Sequence, residues 1–110
     1  MPKTLPPTLR ERNRYMTFEA RSDSSLERKD VVSAIWHALI RTHGEIGASE
    51  TSLWVMDWDK TKSRGVIKTN HKAADKVRSA LAVVTEVERK PALFCVLHTS
   101  GTLKTAREFM

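Results

Sequence analysis

The sequence predicts an α+β domain in which two helices cover one face of a four-stranded antiparallel sheet. Apolar residues recur at helical period over 31–40 and again over 73–87. Four other stretches, 14–20, 53–59, 64–70 and 92–99, are short, rich in β-branched and aromatic residues, and bounded by turn residues. Their order is β-α-β-β-α-β, the split βαβ or ferredoxin-like arrangement. It puts strands one and three at the sheet centre and leaves the face opposite the helices open.

Residues 1–12 hold three prolines. Pro6-Pro7 removes two backbone donors and disfavours helix, so an extended basic arm is expected ahead of a domain spanning 13–110. In the first strand Met16 and Phe18 share the inward face, and Tyr15, Thr17 and Glu19 the outward one. Ser24 and Glu27 stand at capping-box spacing and mark a helix start. Val31, Val32, Ile35, Trp36, Leu39 and Ile40 follow, and Gly44 suits the left-handed position that ends a helix. This arc is broader than the roughly 100° stripe of a simple surface helix. Trp36 and Ile40, at its edge, are therefore candidates for contact with a protein partner.

In the second strand, polar Asp57 and Asp59 place Trp54, Met56 and Trp58 inward. After a polar turn at 60–63, the third strand turns Ile67 inward and Arg64, Val66 and Lys68 outward. Asn70 is a suitable N-cap for the second helix. Ala73, Val77, Ala80, Leu81, Val84 and Val87 form its buried stripe, and Lys90-Pro91 breaks it. The fourth strand is apolar on both faces from Leu93 to Leu97. Ser100-Gly101 ends it, and a short helical tail runs to Met110. An exposed apolar edge needs cover, so Phe94 and Val96 join Trp36 and Ile40 as expected protein-interface residues.

At 110 residues, 40% hydrophobic and 29% charged, the chain is long enough for one core and is not composed like a disordered segment. A net charge of +6 points to a polyanionic partner. The single cysteine, Cys95, excludes a disulfide framework and fits a reducing, cytoplasmic setting. No run approaches the roughly 18 apolar residues of a membrane span, so no membrane partner is expected. The basic N-terminus lacks the apolar stretch of a signal peptide.

The cations form three groups. Lys3, Arg10, Arg12 and Arg14 crowd the N-terminal arm. Lys60, Lys62, Arg64, Lys68 and Lys72 surround the third strand. Lys104 and Arg107 follow the turn Ser100-Gly101-Thr102. Long cationic side chains suit phosphate, and arginine binds it bidentately. Arg64 and Lys68 bracket Val66 at strand period and can track a phosphodiester backbone; the alternative is a solvated charged surface. The Ser100-Gly101-Thr102 turn can offer backbone amides to a phosphate or serve only as a strand-to-helix cap. Tyr15 is the one aromatic expected on the open face, and the aromatic signature of RNA recognition motifs is absent. Recognition of RNA by shape and backbone is therefore expected over base reading.

Asp57 and Asp59 lie two apart on one strand, but a metal nuclease needs further carboxylates that the pattern does not supply. The four histidines have no zinc-like spacing with each other or with Cys95. No catalytic residue, metal ligand or bound cofactor is expected.

Leu5-Pro6-Pro7-Thr8-Leu9-Arg10, Arg14-Tyr15, Ile35-Trp36 and Ser100-Gly101-Thr102-Leu103-Lys104 occur in this order on a βαββαβ frame. The combination resembles the archaeal and eukaryotic ribonuclease P protein component 2 family over nearly the whole chain. The resemblance implies a subunit of the ribonucleoprotein hydrolase that trims the 5′ end of precursor tRNA. It also implies that the catalytic RNA carries the chemistry and holds the Mg²⁺. The implied protein partner is ribonuclease P protein component 3, a TIM-barrel-like protein, with two such pairs able to form a heterotetramer. The short tail, with Glu108 beside Lys104 and Arg107, departs from the longer basic tails of the family. Two competing expectations remain. One is a dimerising interaction module of the same fold with no specific RNA role. The other is a protein-only nuclease built on Asp57 and Asp59.

Overall fold

The computed structural model describes residues 12–110, so the expected arm, apart from Arg12, lies outside the described residues. The elements are β1 (Asn13–Arg21), α1 (Arg28–Ser49), β2 (Trp54–Asp59), β3 (Arg64–Asn70), α2 (Ala74–Ala82), β4 (Glu86–Val87), β5 (Lys90–Pro91), β6 (Leu93–Ser100) and α3 (Leu103–Glu108). The main sheet has the order β2-β3-β1-β6 with every neighbour antiparallel. β1 and β3 are central, as the ferredoxin-like arrangement requires.

The core lies between the sheet and the two long helices. Met16, Phe18 and Ile67 from the central strands meet Val31, Ile35 and Leu39 of α1 and Val77 and Leu81 of α2, all at most 1% exposed. Phe18 is the hub of an aromatic cluster. Its ring lies 5.9 Å from that of Trp58 and 5.7 Å from that of Phe94. Gly65, on β3, is packed against it: a Cβ there would stand 3.0 Å from the Phe18 ring and 2.6 Å from the Asp57 carbonyl oxygen.

Two bulges change the phase of the edge strands. On β2, Val55 pairs with Ile67 but Asp57 pairs with Val66, leaving Met56 as the extra residue. Val55 therefore points into the core at 5% exposure, while Trp54 is 65% exposed. Beyond the bulge Trp58 turns inward, and its indole Nε1 donates to the Leu26 carbonyl at 3.0 Å. The expectation that Trp54, Met56 and Trp58 share the inward face is corrected on this ground. On β6, Thr17 pairs with His98 and Phe18 with Val96, so Leu97 is the extra residue and is exposed.

The helices depart from expectation at their ends. The Ser24–Glu27 capping box does not form. Glu27 is the N-cap of α1 without a side-chain cap bond, its carboxylate paired with Lys60, and the Ser24 N–H donates to the Ser22 hydroxyl at 3.3 Å. Gly44 breaks the helix with φ 76° and ψ 171°, but the chain re-enters helical geometry and continues to Ser49. Asn70 caps as expected: its Oδ1 accepts from the Ala73 N–H at 2.9 Å, opening a 3₁₀ turn (His71–Ala73) that leads into α2.

α2 ends at Ala82, sooner than its apolar stripe suggests. Val84 and Val87 are buried from the following loop and from the β4–β5 hairpin. The two central residues of that hairpin, Glu88 and Arg89, have φ of 51° and 65°. A two-residue turn with both φ positive favours Asn-Gly, and an L side chain there carries about 1 kcal/mol of strain. Replacing Glu88 by Asn and Arg89 by Gly is expected to stabilise the fold by about 1 kcal/mol. A higher urea midpoint with unchanged slope would register it.

Candidate nucleic-acid interface

The face of the sheet away from α1 and α2 is organised in three cross-strand rows. Register gives the first as Asp59, Arg64, Glu19 and Cys95. The second is Asp57, Val66, Thr17 and His98. The third is Trp54, Lys68, Tyr15 and Ser100.

Row one is an ion-pair row. Arg64 donates to Glu19 at 3.1 Å, and Arg21 reaches the other Glu19 oxygen at 2.7 Å. The Arg21 bond, and then the Arg64 bond, hold the Glu19 carboxyl below its ordinary value of 4.5. Asp59 accepts from the amides of Thr61 and Lys62 and closes the turn into β3.

Row two is roofed by α3. The Thr17 hydroxyl donates to the Ala106 carbonyl at 2.6 Å, Arg107 pairs with Asp57 at 2.7 Å, and Phe109 stacks on His98 with ring centres 3.8 Å apart. The helix is thus fastened to β2, β1 and β6, and Thr17 and Val66 become fully buried. Both residues were expected on an open surface. A short amphipathic helix following the last strand covers them, an effect that lies outside the local strand pattern.

Row three holds exposed Trp54 with half-buried Tyr15, Lys68 and Ser100, and the expected cations divide about it. Arg12, Arg14, Lys68, Lys72 and Lys104 gather at its end of the sheet. The Arg12 carbonyl accepts from the His71 N–H at 2.7 Å, which places it beside Lys72. The Arg14 guanidinium lies next to Gly101. Lys68 enters no ion pair among the described residues. Lys62 and Arg64 sit at the opposite end, with Lys62 Nζ 3.5 Å from the Met110 carbonyl. The expected continuous track from Arg64 to Lys68 is therefore interrupted, because Arg64 is tied to Glu19 and Val66 is roofed. Arg107 is likewise held by Asp57, which raises the already high pKa of its guanidinium. Lys3 and Arg10 lie outside the described residues.

At the Ser100-Gly101-Thr102 turn, the Thr102 N–H donates to the Ser100 hydroxyl and the Thr105 N–H to the Thr102 hydroxyl. These amides, and the Ser100 and Thr102 hydroxyls that accept from them, serve the chain's own helix cap, which favours the strand-to-helix cap over a nest of amides. Sequence reasoning missed Trp54, which lies on this face with Tyr15. The signal against it was present: Leu53 and Val55 alternate in the opposite phase, and both are buried.

The expected protein-interface residues do not form one surface. Phe94 is 4% exposed and belongs to the core, and Val96 packs against it. Leu93 and Leu97 are the exposed apolar residues of β6. Trp36 lies by the opposite sheet edge, lining a groove with Arg28, Val32, Leu53, Trp54 and Val55. Ile40, one turn further along α1, is 41% exposed. Among the described residues no three His, Cys, Asp or Glu side chains converge on a metal-sized site, and no helix is long and apolar enough to cross a membrane.

A family model described as the Rpp14/Pop5 family matches residues 14–110. The chain belongs to the Rpp14/Pop5 family. Similar family members include the ribonuclease P protein component 2 of Pyrococcus furiosus, 36% identical over 103 residues, which span 94% of this chain and 86% of that protein. That of Methanococcus maripaludis is 35% identical over 108 residues, spanning 98% and 82%. Among solved structures, a chain of yeast ribonuclease MRP has the same fold with a TM-score of 0.71 at 17% identity, covering 93% of this chain and 79% of that one. The Rpp14/Pop5 match takes in all three rows of the sheet and α3.

Proposed function

We propose that this chain is a protein subunit of ribonuclease P that binds the catalytic RNA through the cationic end of its sheet. The observation carrying the reading is that end itself: five cations gathered at the end of the sheet that holds Trp54, Lys68 and Tyr15, in a chain whose relatives are ribonuclease P proteins. In this reading the RNA holds the Mg²⁺ and hydrolyses the phosphodiester at the 5′ end of the mature tRNA. The protein neutralises phosphates and steadies the RNA fold in the cytoplasm. Its protein partner is component 3, and two such pairs can join into a heterotetramer. The carboxylates that a protein-only nuclease would use have other roles, Asp57 with Arg107 and Asp59 in its turn.

The test is cleavage of precursor tRNA by a cognate catalytic RNA at limiting Mg²⁺. It is run with component 3 alone, with this chain alone and with both. Rescue only by both supports the reading; no rescue by the folded pair overturns it. A second prediction concerns charge. Replacing exposed Arg12, Lys72 and Lys104 together by Ala is expected to weaken RNA binding. It should also shallow the log–log salt dependence by about 0.7–0.9 for each phosphate no longer neutralised. An unchanged slope would sink the assignment of these cations.

A further inference from the structure

We propose that Trp54 and Tyr15, with Lys68 between them, form a stacking row for unpaired nucleobases of RNA. The inference rests on the RNA-binding reading and adds what kind of RNA element this row takes.

Register fixes the geometry. Trp54 pairs with Lys68, and Lys68 with Tyr15, across β2, β3 and β1. Strands lie about 4.8 Å apart, so the two aromatic positions stand about 10 Å apart with the cation midway. Trp54 faces away from the core because its neighbour Val55 is the residue that pairs with buried Ile67. At 65% exposure it is a large apolar surface left in water on an edge strand, an arrangement that ordinarily signals a partner.

Charge selects the occupant. The carboxylates of this sheet face lie in the other two rows, where Glu19 and Asp57 each face an arginine. Row three has none, and Arg12, Lys72 and Lys104 stand at the same end. Aromatic faces beside cations that enter no ion pair among the described residues suit bases that stack while their phosphates are neutralised. α3 is fastened to the neighbouring row, and Trp54 stays exposed while Tyr15 and Lys68 are half-buried. A helical duplex offers no free base faces, so the row fits a loop, bulge or single-stranded joint. Trp54 also borders the groove beside β2, which makes a protein docked at that edge the competing occupant.

The experiment measures affinity of the full chain for two RNAs at one salt concentration. One is a hairpin with an internal loop of unpaired adenines, and the other is the same hairpin fully paired. Trp54→Ala is expected to weaken binding to the looped RNA by about tenfold or more and to leave the paired RNA within about twofold. Trp54→Phe, which keeps an aromatic face, is expected to retain most of the affinity. Thermal unfolding should be unchanged, since the side chain is mostly exposed. Equal losses on both RNAs, or no loss on either, would overturn the stacking row while leaving RNA binding intact. So would a Trp54→Ala variant that binds both RNAs normally but no longer pairs with component 3. Failure of the wild-type chain to bind either RNA would remove the RNA-binding reading itself, and the row with it.

Discussion

Phe18→Ala is expected to destabilise the domain by about 3–5 kcal/mol, read as a lower urea midpoint. Phe18 is fully buried, and its ring is packed against Trp58, Phe94 and Gly65. Removing it takes apolar surface out of the centre and leaves a space that strand backbones on both sides cannot close. Single domains are commonly stable by about 5–15 kcal/mol, so the loss takes a large share of the total. Phe18→Leu, which fills part of the space, should recover a good part of it. A cost under about 1.5 kcal/mol for Phe18→Ala would mean the aromatic cluster collapses around the gap.

Gly65→Ala is expected to cost about 2–3 kcal/mol, although it adds a single methyl group. The new Cβ would meet the Phe18 ring at 3.0 Å and the Asp57 carbonyl at 2.6 Å. A ring can tilt, but the carbonyl belongs to the backbone of a paired strand next to the Met56 bulge, and moving it pulls β2 from β3. The variant should also lower Tm by several degrees. Because residues 18 and 65 touch, the double variant Phe18→Leu with Gly65→Ala should cost less than the two changes added. Additivity within about 0.3 kcal/mol would show that the carbonyl, and not the ring, sets the whole penalty.

The parts of this fold that were legible in the sequence are those set by local chemistry. β3 was bounded correctly at Arg64 and Asn70 because a polar turn precedes it and Asn70 is a cap. Met16, Phe18 and Ile67 read as core because each stands in phase with its strand. What failed depended on contacts far along the chain. Trp54 and Trp58 share a parity, and only the extra residue Met56 puts them on opposite faces. Val84 and Val87 continue the i, i+3 spacing of α2 and so read as helix, although they are buried from a hairpin. Thr17 and Val66 read as open because their cover arrives in α3. At the candidate site, the basic character and Tyr15 were legible. The sorting of Arg64 and Arg107 into ion pairs, and of Lys68 outside the ion pairs of the described residues, required the register of all four strands.

The bond from Thr17 to Ala106 spans 89 positions of sequence. During synthesis α3 emerges after every strand it covers. At about 5–20 residues per second, β1 waits on the order of ten seconds for its roof. For the later part of that interval, once β3 is made, the nascent sheet shows Val66 bare beside an incomplete edge, a state prone to wrong pairing. Slower translation through the β6–α3 segment is then expected to lengthen the exposure of this face in newly made chain.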